Sequence, residues 1–164
     1  ASPGGGKAVS DPTIGQLGRH VPEEPYTIPL GRADVKRRGE HVTVVATAVM
    51  VHRALAVAGQ LEREGIEVEV IDPRTLAPLD NATILASVRK THRAVVVSED
   101  TRRAGVGAEL VAIIMDEGFD DLDAPVIRVC ADDAPVPFAP AAQDRAIPNA
   151  GDILAAIRRT LSDL

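Results

Sequence analysis

The sequence predicts an α/β fold, a three-layer sandwich with a mostly parallel sheet. Three observations predict it. Four runs dense in β-branched residues alternate with four segments of helical period, joined by short connections, as in strand–helix–strand units with right-handed crossovers. The strand runs are apolar enough to call for helices on both faces. Aromatic residues make up 2 % of the 164 residues, so Val, Ile, Leu and Ala must fill the space between sheet and helices.

Residues 1–39 hold much of the glycine and proline and show no sustained periodicity. Residues 1–21 read as a flexible leader or linker and 22–164 as the folded domain. "VPEEPYTIPLG", with three prolines, is expected to lie extended over another surface. "VTVVATA" (42–48) is the first buried strand. A helix follows, with Val51, Leu55, Ala58 and Leu61 inward and Gly65 as its stop. "IEVEVID" (66–72) alternates apolar and acidic residues, which predicts a strand with one face less covered. Asp80 caps "NATILASVRKT", whose stripe is Ile84, Leu85 and Val88. "RAVVVSED" is the third strand, and the next helix points Val106, Leu110 and Ile114 inward. "PVIRVCA" is the fourth strand. After a proline-rich loop, "GDILAAIRRTLSDL" closes as a helix through Ile153, Ile157 and Leu161.

Composition excludes several function classes. A net charge of −6 opposes a nucleic-acid backbone, and scarce aromatics leave little for base stacking. No apolar run approaches the ~18 residues of a membrane span. The single Cys130 cannot pair within the chain, which favours a reducing compartment such as the cytoplasm. It sits in an apolar strand, where a thiol behaves as a small hydrophobe.

Visible chemistry is sparse. "AGVGAEL" follows a strand and opens a helix, as a dinucleotide fingerprint does, but Leu110 stands where the third glycine belongs. Gly105 and Gly107 then serve a tight strand-to-helix turn. "SED" (98–100) ends a strand where open sheets place ligands, and its carboxylates suit either a magnesium ion or a structural use, capping the next helix or pairing with Arg102 or Arg103. His20, His41, His52 and His92 show no metal-binding spacing, and His52 is expected to face solvent or an interface. The reading assigns no catalytic, cofactor-binding or metal residue. At the corner "IDPRTLAPLD", Pro73 ends the strand and Asp72, Arg74 and Asp80 shape the connection, with Arg74 pairing an acid or meeting a neighbouring subunit. From Asp116 to Asp133 there are seven acids and one base, Arg128. That segment reads either as a solvated face or as a docking surface for a basic partner.

"VIDPRTLAPLD" and "GVGAEL", together with "LDAPVIRV" and "PVPFAP", resemble the C-terminal domain of transketolase-like enzymes. The resemblance covers about residues 22–161 and is nearer to the beta subunit of the decarboxylating component of 2-oxo acid dehydrogenase complexes. Pro73 stands where that family usually carries an aliphatic residue. The resemblance implies a parent enzyme that uses thiamine diphosphate and magnesium to oxidatively decarboxylate pyruvate or a branched-chain 2-oxo acid, then acylates lipoyl-lysine. It implies that the cofactor lies between the alpha subunit and the beta subunit's N-terminal half, so this domain alone binds none and is inactive. Implied partners are the alpha subunit, a second beta subunit and the basic subunit-binding domain of dihydrolipoyl acyltransferase. The aspartate of "LDAPV", Asp123, is carried over as a contact to that domain, with the C-terminal Leu164 beside it. Two rivals stay open: a transketolase or deoxyxylulose-phosphate synthase as parent, and a free-standing nucleotide-binding module.

Overall fold

The structure, a computed structural model, describes residues 23–162. The leader over 1–21 and Leu164 lie outside the described residues. Five strands form one sheet in the order β1-β3-β2-β4-β5. They are β1 (Asp34–Arg37), β2 (Val42–Ala46), β3 (Val68–Asp72), β4 (Ala94–Thr101) and β5 (Ile127–Ala131). All neighbouring pairs are parallel except β1 with β3, which is antiparallel. The helices are α1 (Met50–Glu62), α2 (Asn81–Thr91), α3 (Val106–Gly118), α4 (Pro140–Ala146) and α5 (Ala150–Leu161). Among the described residues no helix is long and apolar enough to cross a membrane.

The pleat divides the core in two. Val42, Val44, Val68, Val70, Val95 and Val97 point to the face covered by α1 and α5. Val45, Ile71, Ala94 and Val96 point to the face covered by α2 and α3. This is the expected three-layer sandwich, and its four parallel strands and their helices fall where the periodicity placed them. Val51, Ala58, Ile84, Leu85, Val88, Leu110, Ile114, Ile153 and Ile157 are all buried, while Leu55, Val106 and Leu161 are half-buried.

Two expectations need correction. Residues 34–37 lie in the segment read as aperiodic, yet form a strand, because four residues, DVKR, are too short to display an alternation. β3 is covered on both faces and not on one: it lies between β1 and β2, and Glu69 is 3 % exposed. Cys130 lies on β5, within the strand read for it, and is half-buried because β5 is an edge strand covered only in part. Helix α4 also escaped the sequence reading, although Pro140 at its first turn is a helix-start signal.

Glu69 belongs to a polar seam between the sheet and α2. Lys90 Nζ donates to its carboxylate at 2.5 Å and the Gly39 N–H at 3.3 Å. Beside it on β2, the Thr43 hydroxyl meets those of Ser87 (2.6 Å) and Thr91 (2.7 Å). Burial pushes the Glu69 carboxyl up, but hydrogen bonds from Lys90, Ser87 and Gly39 outweigh it and hold the group below its ordinary value.

Candidate functional site

In open parallel sheets, crevices form at the carboxyl ends of the strands, where the chain leaves neighbouring strands toward opposite faces. Here α1 leaves β2 on one face and α3 leaves β4 on the other. A cleft of about 650 Å³ lies at that place, lined by Thr47 and Ala48 after β2, Asp72 and Arg74 around the end of β3, and Glu99 and Asp100 on β4.

The 72–80 corner forms one wall. Asp34 and Asp72 stand opposite each other in the β1–β3 register, an arrangement of like charges that destabilises a sheet unless countered. Lys36 Nζ at 2.8 Å and Arg74 Nη2 at 2.6 Å from Asp34 counter it. The Lys36 hydrogen bond, opposed by burial and helped by the charges of Lys36 and Arg74, holds the Asp34 carboxyl below its ordinary value. Asp72 accepts the Arg74 N–H at 3.0 Å, which fixes Arg74 in the left-handed region at φ 59°. Asp80 caps α2 as expected, accepting from the Thr83 N–H (3.1 Å) and hydroxyl (2.7 Å). It also accepts the Ala33 N–H at 3.0 Å, a role that sequence did not disclose, and so ties the chain entering β1 to the corner. Burial raises the Asp80 carboxyl, and the bonds from Ala33 and Thr83 more than reverse it. The corner is therefore a structural junction. Arg74→Ala is expected to lower stability in urea by about 1 kcal/mol, the upper range for an exposed ion pair. Arg74→Gly, which removes the same pair but suits the left-handed backbone, should lose less.

Across the cleft, "SED" serves structure. The buried Ser98 hydroxyl bonds Asp100, whose other oxygen accepts the Val106 N–H at 2.5 Å and so caps α3. Arg103 pairs with Asp133 instead of with this group. Both glycines of "AGVGAEL" are packing residues. A Cβ on Gly105 would lie 2.2 Å from the Thr101 carbonyl oxygen, and one on Gly107 would lie 2.9 Å from the Ser98 hydroxyl. His52 is half-buried on α1, and among the described residues no group of His, Cys, Asp and Glu is arranged to hold a metal ion.

Asp123 lies at the other end of the sheet. It is exposed and sits on the rim of an apolar groove of about 580 Å³ lined by Val111, Met115, Phe119, Leu122 and Val126. Phe119 is 63 % exposed there. The acidic run does not form one surface. Asp116, Glu117, Asp120, Asp121 and Asp123 precede β5, whereas Asp132 and Asp133 follow it, so a strand about 16 Å long separates the two groups. The fold also brings cations from elsewhere in the sequence: Arg89 lies 3.2 Å from Asp121 and Arg93 3.7 Å from Asp123.

Residues 31–153 match the family described as the C-terminal domain of transketolase. The beta subunit of acetoin:2,6-dichlorophenolindophenol oxidoreductase from Bacillus subtilis is 42 % identical over 93 % of the chain and 45 % of its own length. The pyruvate dehydrogenase E1 component subunit beta of the same organism is 48 % identical over 87 % of the chain and 44 % of its own length. Its human mitochondrial counterpart is 44 % identical over 84 % and 38 %. A solved split-gene transketolase, described as an inactive beta4 tetramer, superposes with a TM-score of 0.74 at 30 % identity, over 84 % of this chain and 44 % of that one. The chain thus spans less than half the length of these relatives. With the strand order, the helix-capped corner and a family match over residues 31–153 in agreement, the chain belongs to the transketolase C-terminal domain family.

Proposed function

We propose that residues 22–164 are the C-terminal assembly domain of the beta subunit of a thiamine diphosphate-dependent dehydrogenase acting on a 2-oxo acid or a related ketone. The parent would work in the cytoplasm, pair this subunit with an alpha subunit and a second beta subunit, and receive the subunit-binding domain of dihydrolipoyl acyltransferase. The observation that carries the reading is the 48 % identity to a pyruvate dehydrogenase beta subunit over 87 % of the chain. Match to an acetoin-named relative at 42 % is the reason a ketone stands beside the 2-oxo acid. The transketolase alternative rests on a more distant likeness, 30 % identity to the split-gene protein.

Exposed apolar side chains support an assembly role. Tyr26, Ile28 and Leu30 on the segment before β1 and Phe138 before α4 are each more than half exposed, as expected of surface that a neighbouring subunit covers. The cleft chemistry supports placing thiamine diphosphate, with the magnesium that accompanies it, elsewhere in the parent. Its Lys36 and Arg74 are engaged with Asp34, and the carboxylates of Asp72, Glu99 and Asp100 would repel a diphosphate. No chemical step is therefore assigned to residues of this chain.

Asp123 and Leu164 are the proposed acyltransferase contacts. Asp123 supplies negative charge beside an apolar groove, a combination suited to a partner with a basic rim and an apolar centre. Surface plasmon resonance of the chain against an immobilised acyltransferase subunit-binding domain should show binding that weakens with salt. Asp123→Lys should weaken it at least tenfold. Equal binding by the variant at every ionic strength would remove Asp123 from the interface.

A further inference from the structure

Arg37, Arg74, Arg89, Arg93, Arg103 and Arg158 each face a carboxylate. Arg102, Arg128 and Arg145 form no ion pair with a described residue, although acids outnumber bases on this chain by 24 to 18. These three line one pocket of about 280 Å³. Arg102 follows the last residue of β4, Arg128 comes from β5 and Arg145 from the last turn of α4. The Arg128 stem runs beside Gly107, where a Cβ would lie 3.4 Å from its Cδ.

Two carboxylates share the pocket. Asp152 also serves its own helix, accepting the Asn149 N–H at 2.8 Å, and both carboxylates keep their charge in the pocket. Three arginines against two carboxylates leave the described lining with one excess positive charge. Like charges around one cavity repel unless an anion lies between them. In the first turn of α5 the Gly151 and Asp152 N–H groups already donate to Asn149 Oδ1 at 2.8 and 3.2 Å. Binding must come from the arginines, whose planar forks match the oxygens of a phosphoryl group.

We infer that this pocket binds a small phosphate dianion, free or as the phosphoryl group of a small metabolite. Its volume is near the lower end of ligand pockets, roughly 300 Å³, and no aromatic side chain lines it, so the phosphoryl group and not a stacked base is what it recognises. The site is independent of the subunit reading, sharing no lining residue with the groove beside Asp123.

The test titrates the whole chain with sodium phosphate, and with sodium chloride at matched ionic strength, following arginine Nε–H resonances and thermal melting. Phosphate should shift the signals of Arg102, Arg128 and Arg145 saturably and raise the melting temperature. R102Q/R145Q, at two exposed positions, should weaken the apparent affinity at least tenfold while melting normally in chloride. Arg128→Lys keeps the charge without the fork and should also bind several-fold more weakly. Equal responses to phosphate and chloride, or wild-type affinity in either variant, would overturn the site. Equal affinity for malonate would overturn the phosphate assignment. Tight phosphate binding that survives loss of acyltransferase docking would leave this inference standing and the subunit reading refuted.

Discussion

Gly105→Ala is expected to lower the melting temperature by about 6–12 °C, a large effect for a single added methyl group. The backbone at Gly105, φ −81° and ψ 157°, is open to any residue, so nothing is lost through conformational preference. The effect is steric. A Cβ would sit 2.2 Å from the Thr101 carbonyl oxygen and 2.7 Å from Asp100 Cγ, and one of those contacts is backbone that cannot rotate away. Relief requires the turn after β4 to move, which pulls Asp100 from the Val106 N–H and uncaps α3. Overpacking of this kind costs about 1–3 kcal/mol and a lost cap about 1 kcal/mol. A total near 3 kcal/mol corresponds to the stated shift at about 2–4 °C per kcal/mol for a chain of this size. Calorimetry decides between this account and a nucleotide fingerprint. If Gly105 existed to admit a ligand, the alanine variant would melt at the wild-type temperature.

Lys90→Met should destabilise the domain by about 3 kcal/mol at neutral pH, read from urea unfolding. The substitution keeps the aliphatic stem but strands Glu69, whose side chain is 5 % exposed. Removing one partner of a buried pair costs about 3–5 kcal/mol, and the remaining bonds from Ser87 and the Gly39 N–H keep the loss at the lower end. The double variant Glu69→Gln/Lys90→Met should recover most of it. The pH dependence gives a second check. Because folding depresses the Glu69 pKa, its contribution is complete above the unfolded value of about 4.3 and is lost as pH falls through the folded value. Without Lys90 the buried carboxyl protonates more readily. The gap between variant and wild type should therefore narrow as pH falls toward 4; a constant gap would show that Lys90 acts through packing alone.

How far the sequence could be read depends on the range over which each feature is encoded. β2, β3, β4 and β5, with α1, α2, α3 and α5, announce themselves because each carries enough residues for its period to show. Asp80 as the α2 cap is equally local, a polar side chain three residues from the N–H it accepts. β1 is invisible for the opposite reason. Its four residues become a strand only because β3 offers an antiparallel edge, and because Asp80 and Thr75 grip the chain at Ala33 and Gly31 across more than forty residues. Glu69 looked like a solvent-facing residue because alternation reports which side a side chain takes, not what covers that side. The acidic run misled in the same way. Seven acids adjacent in sequence are divided in space by β5, and the cations that answer Asp121 and Asp123 come from α2 and the turn after it. Asp123 could be singled out only by resemblance, since nothing local distinguishes it from its acidic neighbours.

The hydroxyl meeting of Thr43, Ser87 and Thr91 has a mechanical consequence. Aliphatic surfaces tolerate sliding, because one methyl group substitutes for the next; hydroxyls must register atom against atom. Helix α2 consequently has a single seat on the sheet, and displacing it by a turn would leave three polar groups facing hydrocarbon. The rigid helix carries that constraint up its axis to Asp80, so the mouth of the cleft inherits its shape from a lock placed at the far end of the rod.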